Sequence, residues 1–186
     1  MAEIELPVDS QKRLIEIARQ TLEDVASGRP RRKFSDEDGY LKSTNYGAFV
    51  SLFSGDELRG CIGTCTPSQA LSELVVEMTE AAATRDPRVA PIRADELERI
   101  RIDISVLSPL APAKEPLSLE VGRHGIHISR SRQRAVLLPQ VALEHGWDIE
   151  TFLQQTCLKA NLPKDAWHWP DTKVSSFTAM IIEEEK

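Results

Sequence analysis

Residues 100–106 constrain the fold more than any other segment, because their side chains alternate strictly between apolar and polar. Isoleucine or valine stands at every second position, with Arg101, Asp103 and Ser105 between them. Side chains of a β-strand point alternately to its two faces, so this strand has one buried and one polar face. Strands of parallel sheets are covered on both faces and are apolar throughout. The pattern therefore favours an antiparallel sheet.

The rest of the chain mixes helical and extended segments without a regular strand–helix–strand order. Apolar spacing predicts helices at 9–27, 67–84, 95–99, 139–145 and 148–160. Asp9 or Ser10 can cap the first of these helices, and Asp148 caps the last. Strands are predicted at 47–53, 58–64, 125–129, 134–138 and 172–182, the first two forming a hairpin, with loops at 29–45 and 108–116. This order predicts an α+β fold with a mainly antiparallel sheet flanked by helices. The length predicts one domain, residues 1–186, with room for a smaller lobe whose boundaries the sequence does not place.

Composition excludes several classes of protein. The hydrophobic fraction of 41% is ordinary for a globular domain and argues against disorder. No run approaches the roughly 18 apolar residues that a membrane span requires. The N-terminal segment also lacks the apolar core of a signal peptide. The sequence therefore predicts a soluble, cytoplasmic protein.

The net charge of −6 argues against general nucleic-acid binding, because that affinity comes largely from the neutralisation of phosphates. The basic side chains nevertheless form two clusters. One contains Arg29, Arg31, Arg32 and Lys33, and the other contains Arg123, Arg130, Arg132 and Arg134 with His124 and His127. Each cluster is interpreted either as solvated loop residues or as a site that captures a small anion.

The chain has three cysteines, Cys61, Cys65 and Cys157. An odd number in a chain of cytoplasmic type favours free thiols over disulfides. Four residues of extended strand separate Cys61 from Cys65 by roughly 13 Å, too far for both sulfurs to bind one zinc ion. The histidines form no HxH or HxxxH pattern. We therefore predict no metal site, and the sequence points to no particular cofactor.

The candidate site lies on the predicted strand 58–64. Leu58 and Ile62 mark one face of this strand as buried, so Arg59 and Cys61 project together from the other face. Two rises of about 3.3 Å separate these two residues along the strand. A guanidinium group at that separation favours the thiolate, which is the reactive form of cysteine.

Two glycines flank this cysteine. Gly60 and Gly63 let a ligand or another backbone approach the strand closely. The alternative for Cys61 is a packing role, since free cysteines often behave as small buried hydrophobic residues. Cys157 lies in an apolar stretch of its predicted helix, which favours packing there.

Two further segments carry candidate ligand-binding residues. Arg85 and Arg88 surround Asp86 and a proline, and this turn either presents guanidinium groups to a carboxylate or phosphate, or is closed by a pair between Asp86 and one arginine. Gln140 follows a proline at a predicted helix start, where its amide can reach into a cleft and the helix N-terminus favours an anion.

Seven segments, in this order, resemble the family of the AMME-syndrome candidate-gene product, whose bacterial and archaeal members are called AmmeMemoRadiSam system protein A. They are residues 47–52 (GAFVSL), 58–64 (LRGCIGT), 85–88 (RDPR), 104–109 (ISVLSP), 136–141 (VLLPQV), 146–148 (GWD) and 152–160 (FLQQTCLKA). LRGCIG is the family's signature. The chain departs from the family pattern at Cys65, where a bulky apolar residue is usual, and at Val89, where an aromatic is usual.

The resemblance implies an α+β fold with a larger and a smaller lobe, and it implies no particular activity. The family's prokaryotic label reflects association with a Memo-like protein, itself similar to class III extradiol dioxygenases, and with a radical S-adenosylmethionine protein. One component of a three-part modification system is therefore the leading expectation.

Three functions follow as hypotheses. The first is an enzyme or substrate-handling subunit in which Cys61 is a nucleophile or an acid–base thiol, and Arg59, Arg85 and Arg88, with Gln140 nearby, hold a small anionic ligand. The second is a non-catalytic binding or scaffold protein with LRGCIG as a structural hairpin. The third, weaker hypothesis is nucleic-acid binding through the two basic clusters.

Overall fold

The structure, a computed structural model, describes residues 4–35 and 37–185. These residues form two compact units. The larger unit comprises Glu5–Leu107 and residues 180–185, and the smaller comprises Ser108–Ala179 with Ile4. Within the described residues, no helix is both long and apolar enough to cross a membrane. The predicted α+β class is confirmed. The strands form two four-stranded sheets, whereas the sequence predicts one mainly antiparallel sheet.

The elements are numbered in chain order. The α-helices are α1 (Val8–Ala26), α2 (Leu71–Thr84), α3 (Pro139–Glu144) and α4 (Ile149–Lys159). The strands are β1 (Gly47–Ser54), β2 (Glu57–Thr64), β3 (Ile100–Leu107), β4 (Ala111–Pro112), β5 (Gly125–Arg130), β6 (Gln133–Leu137), β7 (Lys173–Phe177) and β8 (Ala179–Glu183). Short 3₁₀ helices lie at Ala94–Arg99, Pro116–Ser118 and Ala166–His168.

The first sheet has the strand order β2–β1–β3–β8, and β1 pairs antiparallel with both β2 and β3. Helices α1 and α2 pack against each other and cover one face of this sheet. The strand residues buried on that face are Ala48, Val50, Leu52, Ile100, Ile102, Ile104 and Val106. The alternation that predicts β3 is therefore confirmed at Arg101 and Asp103, which lie on the opposite face and are partly exposed, whereas Ser105 is buried.

The second sheet has the strand order β4–β7–β5–β6, and the pairings of β4 with β7, β7 with β5 and β5 with β6 are antiparallel. Helices α3 and α4 lie on one face of it. The core there includes Ile126, Ile128, Phe152, Leu153 and Val174. Alternation along β5 sends His127 and Ser129 to the other face.

The helix predicted at 67–84 begins four residues later, at Leu71. The first N–H groups of this helix donate to carbonyl groups of the preceding loop. The Leu71 N–H donates to the Ser43 carbonyl at 2.9 Å, and the Ser72 N–H donates to the Leu41 carbonyl at 3.1 Å. The loop predicted to be a polar surface segment thus also contributes Leu41, which is fully buried.

The last predicted strand, 172–182, is two strands in different sheets. Thr178 separates them, and its N–H donates to the Ser108 hydroxyl at 2.9 Å. The Ser108 N–H donates in return to the Thr178 carbonyl at 3.0 Å. The predicted linker 108–116 contains the short strand β4, which pairs with β7. Residues 172–182 contain no glycine or proline, so the sequence gives no turn signal at this break.

Helix capping agrees with the sequence at one helix and differs at another. Asp148 caps α4 as predicted, since its carboxylate accepts the Thr151 N–H at 2.8 Å. Helix α1 was expected to be capped by Asp9 or Ser10, but it begins at Val8 after Pro7. The Ser10 hydroxyl instead donates to the Asp38 carboxylate at 2.6 Å, in the following loop.

Candidate functional site

The hairpin predicted from residues 47–64 is confirmed and carries the LRGCIG segment on β2, an edge strand of the first sheet. The two strands are joined at Gly55, whose φ of 59° lies in the left-handed region that glycine adopts readily. The register between the strands shifts once, between Leu52 and Phe53. Arg59 and Cys61 therefore lie on one strand, as predicted. The irregularity falls at Arg59, so Leu58 pairs with Phe53 instead of continuing the face of Gly60 and Ile62, and the prediction that Leu58 marks the buried face is wrong.

The thiol of Cys61 lies in a polar row that crosses the first sheet. Ser51 on β1 pairs with Cys61 on β2 and with Asp103 on β3. The Ser51 hydroxyl donates to the Cys61 sulfur at 3.2 Å. Residues directly opposite on antiparallel strands have Cβ atoms about 4.5–5.5 Å apart. Ser51 thus lies between a thiol and a carboxyl group, and all three side chains are partly exposed.

Aromatic side chains flank this row on β1. Phe49 and Phe53 lie two residues to either side of Ser51, so both share its face of the sheet. The Arg101 guanidinium lies 5.2 Å from the centre of the Phe53 ring. The Cys61–Ser51–Asp103 row therefore has a phenyl group on each side.

The Asp103 carboxyl is held by Arg101, whose Nε donates to it at 3.1 Å. Burial raises the pKa of Asp103, with Glu183 and Glu184 acting in the same direction and Arg101 opposing them. This carboxyl group takes up a proton more readily than an exposed aspartate does, which suits it to proton transfer.

The backbone of Cys61 is held by the segment that follows α2. The Cys61 N–H donates to the Asp86 carboxylate at 2.9 Å, and the Cys61 carbonyl accepts from the Arg88 guanidinium at 3.1 Å. These two bonds occupy the outward-facing backbone groups of an edge strand, which would otherwise be open to another strand. The RDPR and LRGCIG segments are therefore joined by hydrogen bonds in both directions.

Within the RDPR segment, Asp86 pairs with Arg88, whose guanidinium donates to the Asp86 carboxylate at 2.6 and 2.9 Å. The Arg88 guanidinium holds the pKa of the buried Asp86 carboxyl far below its usual range, helped by the Cys61 and Arg88 N–H groups and opposed by burial. Of the two interpretations of RDPR, the pairing of Asp86 with one arginine describes these contacts. Arg88 remains 59% exposed, so its outer edge is open to solvent.

The Asp86 contacts predict a specific dependence of stability on pH. The folded-state pKa lies below the ordinary value of 3.8, so the stabilisation is present above that value and is lost as pH falls below it. We expect Asp86→Asn to lower the free energy of unfolding at pH 7 by about 1.5–3 kcal/mol, because a charge-assisted bond set is lost. At pH 2–3 the difference from wild type should shrink.

Urea unfolding at pH 7 and at pH 2.5 measures both values. Asp56→Asn is the matched control, since Asp56 is exposed in the hairpin turn. Its unfolding free energy should follow wild type at both pH values. Equal pH dependence in Asp86→Asn and wild type would contradict the prediction.

Arg59 pairs with an acidic side chain, whereas the sequence suggests an interaction with the Cys61 thiol. Its guanidinium forms a partly buried ion pair with Glu96, in the 3₁₀ helix before β3. Glu96 also accepts the Arg93 N–H at 3.0 Å. Arg59, followed by the Arg93 N–H, lowers the pKa of Glu96. The hydrogen bond to the Cys61 sulfur comes from the Ser51 hydroxyl instead, and the guanidinium whose charge interacts with Cys61 is that of Arg88.

The two glycines of the segment lie against protein groups. A Cβ atom on Gly60 would lie 2.1 Å from the Ala82 carbonyl oxygen of α2, so the helix backbone lies directly over this position. A Cβ atom on Gly63 would lie 2.2 Å from the Phe49 ring, which covers it from the paired strand. Close approach is thus made by the protein itself, and contact of either glycine with a ligand stays a prediction.

The two remaining candidate residues, Arg85 and Gln140, belong to different compact units. Arg85 is exposed and lines a surface cavity of about 630 Å³ that also borders Arg31, Lys33 and the polar side of α2. Gln140 belongs to the smaller unit, where it is the second residue of α3. Their roles in ligand binding stay predictions.

The first basic cluster is largely paired with acidic side chains. Arg29 and Arg32 both bond to the buried carboxylate of Asp24, at 3.1 and 3.0 Å. Arg31 pairs with Glu80 of α2 at 2.8 Å. The solvated-loop interpretation describes these three arginines, because each is paired with a carboxylate, Arg29 and Arg32 sharing that of Asp24.

Three residues of the site have only weak signals in the sequence. Ser51 is the one polar residue within GAFVSLF, and Asp103 stands on the polar face of the alternating strand. The sequence shows the arginines on either side of Asp86, but it does not show the hydrogen bond between Asp86 and the Cys61 N–H. Neither the serine nor the aspartates can be assigned to Cys61 without the register of β1 between β2 and β3, which is a tertiary property.

For the described residues, no group of three histidine, cysteine or acidic side chains is arranged to hold a metal ion.

Comparison with known proteins gives consistent matches over most of the chain. A family model described as AMMECR1 matches residues 15–182. A protein of Methanothermobacter thermautotrophicus is 38% identical over 183 residues, covering 95% of each chain. Protein MK0488 of Methanopyrus kandleri is 45% identical over 149 residues, covering 75% of this chain and 72% of its own. The crystal structure of the uncharacterized protein PH0010 from Pyrococcus horikoshii has a TM-score of 0.86 at 36% identity, covering 94% of this chain and 91% of that one.

Proposed function

The chain belongs to the AMMECR1 family, as its matched segments predict, and from that premise we propose that it acts through the thiol of Cys61. In this proposal the protein is a cytoplasmic, thiol-dependent enzyme or substrate-handling component of a three-part modification system. Its partners are a Memo-like protein and a radical S-adenosylmethionine protein. Its site is the polar row formed by Cys61, Ser51 and Asp103.

The observation that carries the proposal is the hydrogen bond from the Ser51 hydroxyl to the Cys61 sulfur, at 3.2 Å. A donor directed at sulfur stabilises the thiolate, which is the nucleophilic form of cysteine. Cys61 is partly exposed, whereas Cys157 is fully buried. A reagent or substrate group can therefore reach Cys61 from the open face of the sheet.

The neighbouring groups support acid–base chemistry and anion binding at the same place. Asp103 faces Ser51 from the third strand, and its raised pKa suits a group that gives and accepts a proton. Arg88 bonds to the Cys61 carbonyl and stays largely exposed. Its position supports a role in holding the anionic part of a small ligand beside the thiol.

The test is reconstitution with the proposed partners. Wild-type protein, Cys61→Ala and Cys65→Ala are each combined with the Memo-like and radical S-adenosylmethionine proteins of the same organism, and the mass of every component is followed. We expect a mass change that Cys61→Ala abolishes and that Cys65→Ala, which alters a second partly exposed cysteine, retains. No mass change in any component, or full retention in Cys61→Ala, would contradict the proposal.

The second candidate function is a non-catalytic binding or scaffold protein. This function is favoured because other residues of the LRGCIG segment contact protein groups. Gly60 contacts the α2 backbone, Gly63 is covered by Phe49, and Arg59 pairs with Glu96. Each of these positions has a structural explanation without a ligand. If this candidate is correct, Cys61→Ala retains every partner interaction and every measurable activity.

Nucleic-acid binding is the weaker alternative. The arginines at 29, 31 and 32 are paired with two carboxylates, which offset part of the cluster's positive charge, and the net charge of the chain is −6. Retention on immobilised nucleic acid that falls steeply with added salt would favour this alternative over the thiol proposal.

A further inference from the structure

The second sheet carries a row of basic and hydroxyl side chains on the face opposite α3 and α4. Ser129 on the central strand β5 pairs with Arg134 on β6 and with Lys173 on β7. The next row toward the strand start holds His127, which pairs with Ser175. The helix-covered face is marked by Ile126, Ile128 and their neighbours, so these polar residues share the other face.

The two cations of this row lack acidic partners. Among residues 4–35 and 37–185, no carboxylate forms an ion pair with Arg134 or Lys173, and both side chains are exposed. Other arginines of the same sequence cluster differ, since Arg123 pairs with Glu120 at 3.3 Å and Arg130 pairs with Asp171 at 2.8 Å. The row therefore keeps two free positive charges in a protein whose net charge is −6.

The spacing of the row suits a small ion. Neighbouring strands lie about 4.8 Å apart, so the Cα atoms of Arg134 and Lys173 lie roughly 10 Å from each other, with Ser129 between them. Both side chains are long enough to close this distance over the serine hydroxyl. Two cations held this close repel each other, and a bound anion removes that repulsion.

His127 lies two residues before Ser129 on β5, so its side chain shares the face of Ser129. Burial lowers the pKa of His127, and the charge of Arg134, on the neighbouring strand β6, lowers it further. A neutral histidine there also offers one N–H donor to a ligand without adding charge.

We propose that Arg134, Ser129 and Lys173 bind the phosphate group of a small phosphorylated molecule, with His127 at the border of the site. Donors from three strands approach from different directions, which matches the several oxygens of a tetrahedral phosphate better than the two coplanar oxygens of a carboxylate. The site belongs to the smaller unit and does not depend on the thiol chemistry proposed for Cys61.

The test is a titration of the intact protein with inorganic phosphate at constant ionic strength, followed by the amide resonances of Ser129 and His127. We expect saturable shifts at these residues in wild-type protein. Arg134→Gln combined with Lys173→Gln should weaken binding at least about tenfold, since each charge-assisted bond is worth that factor or more. Acetate at the same concentrations should bind more weakly than phosphate by a similar factor.

Arg132→Gln is the matched control, because Arg132 is an exposed arginine in the turn between β5 and β6 and lies outside the row. It should bind phosphate as wild type does, and its thermal unfolding should match that of the double variant. Unsaturable or scattered shifts in wild type, equal loss in Arg132→Gln, or equal binding of acetate would each overturn the proposal.

Discussion

In native protein at pH 7, we expect iodoacetamide to label Cys61 at least about a hundredfold faster than Cys157. Cys157 is fully buried, and burial raises the pKa of its thiol, so it reacts only when the structure opens. An opening free energy of about 2.8 kcal/mol is enough for a hundredfold difference. Cys61 is partly exposed and needs no opening. Mass-resolved labelling over time gives the rate for each cysteine.

Two variants identify the group that promotes this reaction. Ser51→Ala removes the donor to the Cys61 sulfur and should slow labelling of Cys61 about tenfold, the value of one hydrogen bond to a charged group. The sequence alone predicts the same loss for Arg59→Ala. Because Glu96 already balances the charge of Arg59, we expect that variant to label at nearly the wild-type rate.

Three outcomes can be distinguished in this experiment. Loss in Ser51→Ala with little change in Arg59→Ala supports the polar row. The reverse result would restore the prediction made from sequence. Labelling of Cys61 no faster than that of Cys157 would remove the basis of the thiol proposal and leave the scaffold function preferred.

The second large effect is expected from Gly60→Ala. The added Cβ atom would lie 2.1 Å from the Ala82 carbonyl oxygen, a contact that no side-chain rotation relieves because the atom belongs to the α2 backbone. Separating α2 from the sheet would cost packing along a largely buried helix face. We expect a loss of about 3 kcal/mol in unfolding free energy, which corresponds to a fall of roughly 6–12 °C in Tm.

Gly39→Ala is the control for this substitution. Gly39 lies in a loop, and nothing is within 4 Å of the position that a Cβ atom would take. Its effect should stay within about 1 kcal/mol of wild type, the range expected when only the unfolded chain is restricted. Thermal and urea unfolding measure both variants. A stable Gly60→Ala protein would show that α2 does not lie against β2 as described.

Local pattern was sufficient to predict most individual elements. The hairpin at 47–64, the alternating strand β3 and the aspartate cap of α4 each depend on interactions between residues close in sequence, so their signals are present in short segments. The strand break at Thr178 was missed because no glycine or proline marks it in residues 172–182. What stops the strand is a pair of hydrogen bonds with Ser108, which is 70 residues away.

The α+β class and the family could be predicted from the sequence, because side-chain periodicity and motif order do not depend on distant contacts. The faces of the LRGCIG strand could not, because the register shift beside Arg59 puts Leu58 opposite Phe53, on the face of Ser51 and Cys61. Only the tertiary structure decided which groups surround Cys61. The partner of its sulfur is set by the register with β1, and the partners of its backbone are set by the return of the chain after α2. Arg59 was the nearest cation along the strand, yet Glu96 takes its charge, because ion pairs form between groups that the fold brings together rather than between neighbours in sequence.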